Sequence, residues 1–173
     1  MHFVRGSFAA LGHTRMNFTD LRTESTWRLL LLSIVTYAVY PVHFLRRLTT
    51  RLNENLPLKR QISAAFIITN FVFAYGSLLM LFVYLFLPEG HPAELASSLS
   101  NLATSVLMLV WSFKVQGRLN QFLVASGKTE FRLWWFTTFL FQWLYINYKI
   151  NAVSDEEAEQ SVQPDRRDDA APG

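Results

Sequence analysis

Cysteine is absent from the 173 residues, which excludes disulfide frameworks, thiolate nucleophiles and thiolate metal sites. Glycine is sparse and isolated. Gly6, Gly12, Gly76, Gly90, Gly117 and Gly127 stand singly, so neither a phosphate-cradling loop nor a dinucleotide fingerprint is present. The four histidines, His2, His13, His43 and His91, lack metal-ligand spacing. Only His43 lies in an apolar stretch, where it is expected to be an interfacial or packing residue beside Arg46 and Arg47. The first 27 residues hold no sustained apolar core, so a cleaved signal peptide is not expected. No nucleophile, base or metal set emerges, and the chain reads as a non-enzyme without cofactors.

Charge is missing where it matters most. Residues 62–87 contain no Asp, Glu, Lys, Arg or His, and as a helix this run is about 39 Å long, more than the roughly 30 Å hydrocarbon layer. A soluble core helix rarely needs to be uncharged on every face. The fold class read from this pattern is all-α, a small polytopic helical membrane protein. A polar segment, 1–27, precedes a helical membrane domain, 28–153, with apolar segments at 29–45, 62–87, 95–113 and 133–148, and a disordered acidic and polar tail follows at 154–173.

Every Lys and Arg, sixteen in all, lies outside residues 61–113, and the connector from Pro88 to Glu94 has none. The positive-inside rule therefore places loop 46–60 and segment 114–132 in the cytoplasm and the connector on the far side of the inner (cytoplasmic) membrane. Arg46, Arg47, Arg51, Lys59 and Arg60 are the expected contacts to anionic lipid headgroups. Membrane lipids explain this basic run more economically than nucleic acid, which is not expected as a partner. Small and polar residues, Ala65, Asn70, Ala74, Gly76, Ser77 and Asn101, mark the faces expected to pack helix on helix, within the chain or in a homo-oligomer.

The outer apolar stretches admit two topologies. Length and apolarity favour four spans, with 29–45 and 133–148 crossing. The alternative keeps a two-helix hairpin and makes both stretches re-entrant or interfacial, which leaves every basic residue on one side. Pro41 is expected to bend or break the first stretch, and Trp134, Trp135, Trp143, Tyr145 and Tyr148 place the ends of the last one near headgroups.

A loose repeat bears on this choice: Arg51-Leu52-Asn53, Arg118-Leu119-Asn120 and Lys149-Ile150-Asn151. Tripeptides this short also recur by composition. Read functionally, the basic residue snorkels to phosphates, the aliphatic stays among acyl chains, and the asparagine caps or bonds across helices. All three signatures share one side only in the re-entrant topology.

The segment RLLLLSIVTYAVYPVHFLRRLTTRLNE, at residues 28–54, resembles the opening of bacterial membrane proteins grouped as domain-of-unknown-function family 4234, and FLFQWLYINYKINAV, at 139–153, resembles that family's last apolar segment. The resemblance implies a membrane protein and carries no activity. Without ionisable residues at mid-depth in its spans, an ordinary ion-coupled transporter is disfavoured. The reading adopted is a small oligomeric membrane scaffold or assembly protein, and the alternative is a subunit of a transporter or channel. The tripeptide Asn17-Phe18-Thr19 matches a glycosylation acceptor by chance.

Overall fold

The computed structural model describes residues 18–36, 39–88 and 91–162, and every regular element among them is helical. They are α1 (Phe18–Leu21), α2 (Thr26–Val35), α3 (Val39–Glu54), α4 (Ala64–Leu85), α5 (Ala93–Ala125) and α6 (Trp135–Val162). Short 3-10 turns at Leu58–Arg60 and Thr129–Phe131 precede α4 and α6. His2, His13 and Asn17 lie outside the described residues, as does the chain beyond Val162.

The chain forms three consecutive helical hairpins. The longest pairs α4 with α5, and these are the helices among the described residues that are long and apolar enough to cross a membrane. Ser63 starts α4 by accepting the Phe66 N–H on its hydroxyl, as an N-cap does. Helix α5 runs on past the apolar stretch into the segment 114–132, as far as Ala125. Its continuation is amphipathic: Val115, Leu119 and Leu123 recur at four-residue spacing and are buried, while Lys114 and Gln121 are exposed. It stops at Gly127, whose φ of +76° suits a residue without a Cβ. There the Lys128 N–H reaches the Leu123 carbonyl and the Gly127 N–H reaches that of Val124, a Schellman motif.

The first apolar stretch is not one helix. Thr36 ends α2 by donating its hydroxyl to the Leu32 carbonyl, and the same oxygen accepts the Tyr40 N–H in the first turn of α3. Pro41 falls in that first turn, where a missing N–H costs nothing, so it opens a new helix instead of kinking an old one. Helix α3 then folds back beside α2. Arg51 donates to the carbonyls of Asp20 and Arg22, 31 and 29 residues earlier.

Helix α6 reverses in the same manner. Gln142, at φ 42° and ψ −121°, divides it into an outward limb, 135–141, and a return limb, 143–162. The Trp134 nitrogen lies 3.4 Å from the Tyr145 hydroxyl, a closure out of reach for a straight helix, which would set the two backbones about 16 Å apart along its axis. Neither outer stretch is one continuous helix: α2 ends at Val35 and α3 begins at Val39 in the first, and Gln142 divides α6 in the last. The tail also differs from expectation, because α6 stays helical to Val162, held by ion pairs from Asp155 to Arg22 at 3.0 Å and from Glu157 to Lys128 at 3.4 Å.

The core sits at one end of this arrangement. Phe44, Leu45, Leu48 and Leu52 of α3, Trp111, Val115, Leu119 and Leu123 of α5, and Ile146, Ile150 and Val153 of α6 are buried together with Phe18, Leu21 and Leu29. Trp111 joins α5 to α3 through a hydrogen bond from its indole N–H to the Thr49 hydroxyl at 2.8 Å and an edge-on contact with Phe44. The far half of the α4–α5 hairpin buries few side chains, and Ile68, Val72, Leu79, Phe82, Leu99 and Leu102 are exposed.

Candidate functional site

Each hairpin begins at a residue just before the capping position of its first helix, which we call its root: Glu24 before Ser25, Ile62 before Ser63, Leu133 before Trp134. The three asparagines of the loose repeat all bind roots, and each binds the root of the next hairpin. Asn53 takes Ile62 from both sides, its Nδ2 donating to the carbonyl and its Oδ1 accepting the N–H, both at 2.9 Å. Asn120 does the same to Leu133 at 3.0 and 2.7 Å. Asn151 closes the series by donating to the Glu24 carbonyl at 3.2 Å, 127 residues back along the chain. The hairpins therefore form a closed ring.

Residues one helical turn earlier reinforce the clamps, because positions four apart share a helix face. Gln116 donates to the Leu133 carbonyl that Asn120 also holds. Asn147, fully buried, donates to Glu24 and to the Thr26 hydroxyl and accepts the Thr23 hydroxyl at 2.6 Å. The third clamp is the asymmetric one: Asn147 carries most of it, and the buried Oδ1 of Asn151 has no partner.

The basic residue of each signature binds inside its own hairpin, at the residue two before the root. Arg51 reaches the Arg22 carbonyl at 3.0 Å, Arg118 the Arg60 carbonyl at 2.8 Å, and the Lys149 ammonium sits 5.7 Å from the Phe131 ring. The aliphatics Leu52, Leu119 and Ile150 are all core residues. The expectation of acyl-facing aliphatics is corrected here. These cations also have partners within the protein, two carbonyls and a ring face, and these aliphatics pack against protein. The signatures are interlocks.

The five expected headgroup contacts divide accordingly. Arg51 is occupied as described, Arg47 pairs with Glu24 at 3.5 Å, and Arg60 donates to the Gln121 side chain at 3.1 Å. Arg46 and Lys59 are exposed. Glu24 also accepts the Tyr40 hydroxyl, so its side chain ties α2 to α3 while its carbonyl is held by α6.

The expected packing residues divide too. Asn70, Ala74 and Ser77 are buried on α4, and Ser77 shares a hydrogen bond with Thr104 of α5 at 3.3 Å. Asn70 donates to the Phe66 carbonyl and leaves its Oδ1 buried without a partner. Ala65 is exposed, Asn101 is half-buried, and a Cβ placed on Gly76 meets nothing within 4 Å. His43 is exposed and faces α4, with a ring nitrogen 2.8 Å from the Tyr75 hydroxyl and its ring edge-on to Phe71.

Sequence reasoning missed Glu24, Asn147, Gln116 and Trp111. The spacing signal for two of them was present: an amide or asparagine four residues before the last residue of a signature. Among the described residues no cluster of His, Asp or Glu is arranged to hold a metal ion.

A family model described as Domain of unknown function (DUF4234) matches residues 24–121. The match opens on the first root, Glu24, and ends one residue past the second clamp, Asn120. It takes in the first two hairpins and leaves the third outside. No curated protein and no solved structure matches the chain.

Proposed function

This chain belongs to the DUF4234 family, and from that premise we propose that it is an integral protein of the cytoplasmic membrane in which α4 and α5 cross the bilayer, while the α2–α3 and α6 hairpins enter only the leaflet next to the roots. The observation that carries this reading is the ring of clamps, which ties the three roots to one another's hairpins through side-chain hydrogen bonds. Arg28, Arg46, Lys59 and Arg132 are exposed, and Arg28 and Arg132 lie within two residues of the exposed Trp27 and Trp134 in the segments that leave the first and third roots. Cations and tryptophans at one depth are what a headgroup layer selects, and the positive-inside rule makes that layer cytoplasmic. Helix α4, at about 33 Å, carries the chain across to the connector and α5 returns it.

Its role in this reading is a self-associating membrane scaffold. Ala65, exposed, and Gly76, where an added Cβ meets no atom within 4 Å, support a second copy as neighbour. The test of topology uses single cysteines at Ser63, Glu94, Ser126 and Ser161 in this cysteine-free chain, labelled in intact cells with an impermeant maleimide. Glu94→Cys alone is expected to react from outside. Reaction of Ser161→Cys from outside would restore a crossing by α6 and sink the reading. For the scaffold, Gly76→Leu is expected to disperse the purified oligomer without unfolding the chain, since its side chain has room within one copy.

A further inference from the structure

The two short hairpins make the molecule much wider in one leaflet than in the other. Helix α2 is ten residues long, about 15 Å, and the outward limb of α6, 135–141, rises only about 10 Å. Both end at or before the middle of a hydrocarbon layer roughly 30 Å thick. Their outer surfaces are bare and apolar. Trp27, Leu31, Ile34 and Val35 are exposed on one, and Phe136, Phe139, Leu140 and Phe141 on the other, where Thr138 alone is fully buried. A limb this apolar and this exposed needs a fluid apolar cover.

We propose that these two hairpins are a wedge in the leaflet next to the basic face, covered by its acyl chains, and that the protein consequently prefers membrane that curves away on that side. The proposal rests on the topology given above. In the near leaflet the cross-section holds α2, α3, α4, α5 and both limbs of α6, whereas in the far leaflet it holds α4 and α5 alone. Each extra helix displaces roughly 100 Å² of membrane area, given a diameter of about 10–12 Å. The clamps make the wedge stiff: the hairpins share the core of Phe44, Trp111 and Ile146 and cannot splay to even out the two leaflets without breaking the root hydrogen bonds. Acyl chains are favoured over a protein partner as the cover because cations and tryptophans rim both hairpins at the roots, and a lipid layer matches that depth order.

The experiment uses full-length protein with one dye-labelled cysteine at Ser126, reconstituted into giant vesicles of phosphatidylcholine and phosphatidylglycerol from which nanotubes are pulled outward. An impermeant quencher separates molecules whose basic face points outward from those pointing inward. Outward-facing molecules are expected to show a tube-to-vesicle density ratio above unity that grows as the tube narrows, and inward-facing molecules a ratio below unity. Equal ratios for both orientations, or the reverse order, overturn the proposal. The exposed substitutions Phe136→Ala, Phe139→Ala and Phe141→Ala together leave the clamps untouched and are expected to lower the enrichment. Undiminished enrichment in that variant overturns the assignment to α6. Glu94→Cys labelling in the same vesicles reports topology separately: if it lies on the same side as Ser126, the membrane reading itself has failed, whereas correct topology with flat partition refutes the wedge alone.

Discussion

Replacing Asn120 by alanine and, separately, Asn151 by alanine tests whether the clamps act through the hydrogen bonds described. Asn120→Ala removes two side-chain bonds to Leu133. The Leu133 carbonyl keeps Gln116 as a donor, so the principal loss is the Leu133 N–H, left part-buried without an acceptor. Such an orphaned group costs about 1–3 kcal/mol, and with the lost bond energy the whole substitution is expected to cost about 2–4 kcal/mol. Asn151→Ala removes one bond to a carbonyl that Asn147 continues to hold, and it also deletes a buried oxygen that has no partner. Its cost is expected to stay within about 1 kcal/mol. Denaturant titration in mild detergent, followed by circular dichroism, reads both. Asn120→Asp keeps an acceptor for the Leu133 N–H and is expected to recover part of the loss. Equal costs for Asn120→Ala and Asn151→Ala, or no cost for Asn120→Ala, would refute the reasoning.

Other outcomes follow from single features. Trp111→Phe keeps most of the packing and leaves the Thr49 hydroxyl without its donor; a loss of about 1–3 kcal/mol is expected in the same titration, against about 3–5 for Trp111→Ala. Gln142→Gly is expected to preserve or raise stability, because glycine tolerates the positive φ there, whereas Gln142→Val is expected to lower it by about 1–3 kcal/mol. Truncation after Val153 removes the ion pairs of Asp155 and Glu157 and the Glu157 acceptor of the Phe18 N–H. Limited proteolysis is then expected to cut the segment around α1 faster than in the full chain, and unchanged cleavage would show that α1 is held by its buried Phe18 and Leu21 alone.

How much was legible beforehand depends on which atoms carry each feature. Helix α4 announces itself because lipid-length apolarity is written in side chains, and Ser63 marks its start. The continuation of α5 was hidden by composition: Lys114, Arg118 and Gln121 dominate a count of polarity, while the buried stripe of Val115, Leu119 and Leu123 appears only at helical spacing. The reversal at Gln142 has no glycine or proline to betray it, since tertiary clamps on both limbs impose it. The repeat of basic residue, aliphatic and asparagine was visible as a pattern. Its meaning was not, because what each asparagine grips is the backbone of Glu24, Ile62 or Leu133, and a main-chain N–H or carbonyl leaves no trace in residue identity.

The last interlock also sets a timetable. Glu24 leaves the ribosome early, yet the amide that fastens its carbonyl belongs to Asn147, 123 residues later. Through most of synthesis the first hairpin has its own Arg51 brace but no lock, and a nascent chain stalled before its third hairpin leaves the Glu24 carbonyl and the Thr26 hydroxyl without Asn147. Loop-closure entropy over such a separation is recovered only at the end. The first hairpin of such a chain is fastened only when the return limb of the third has formed.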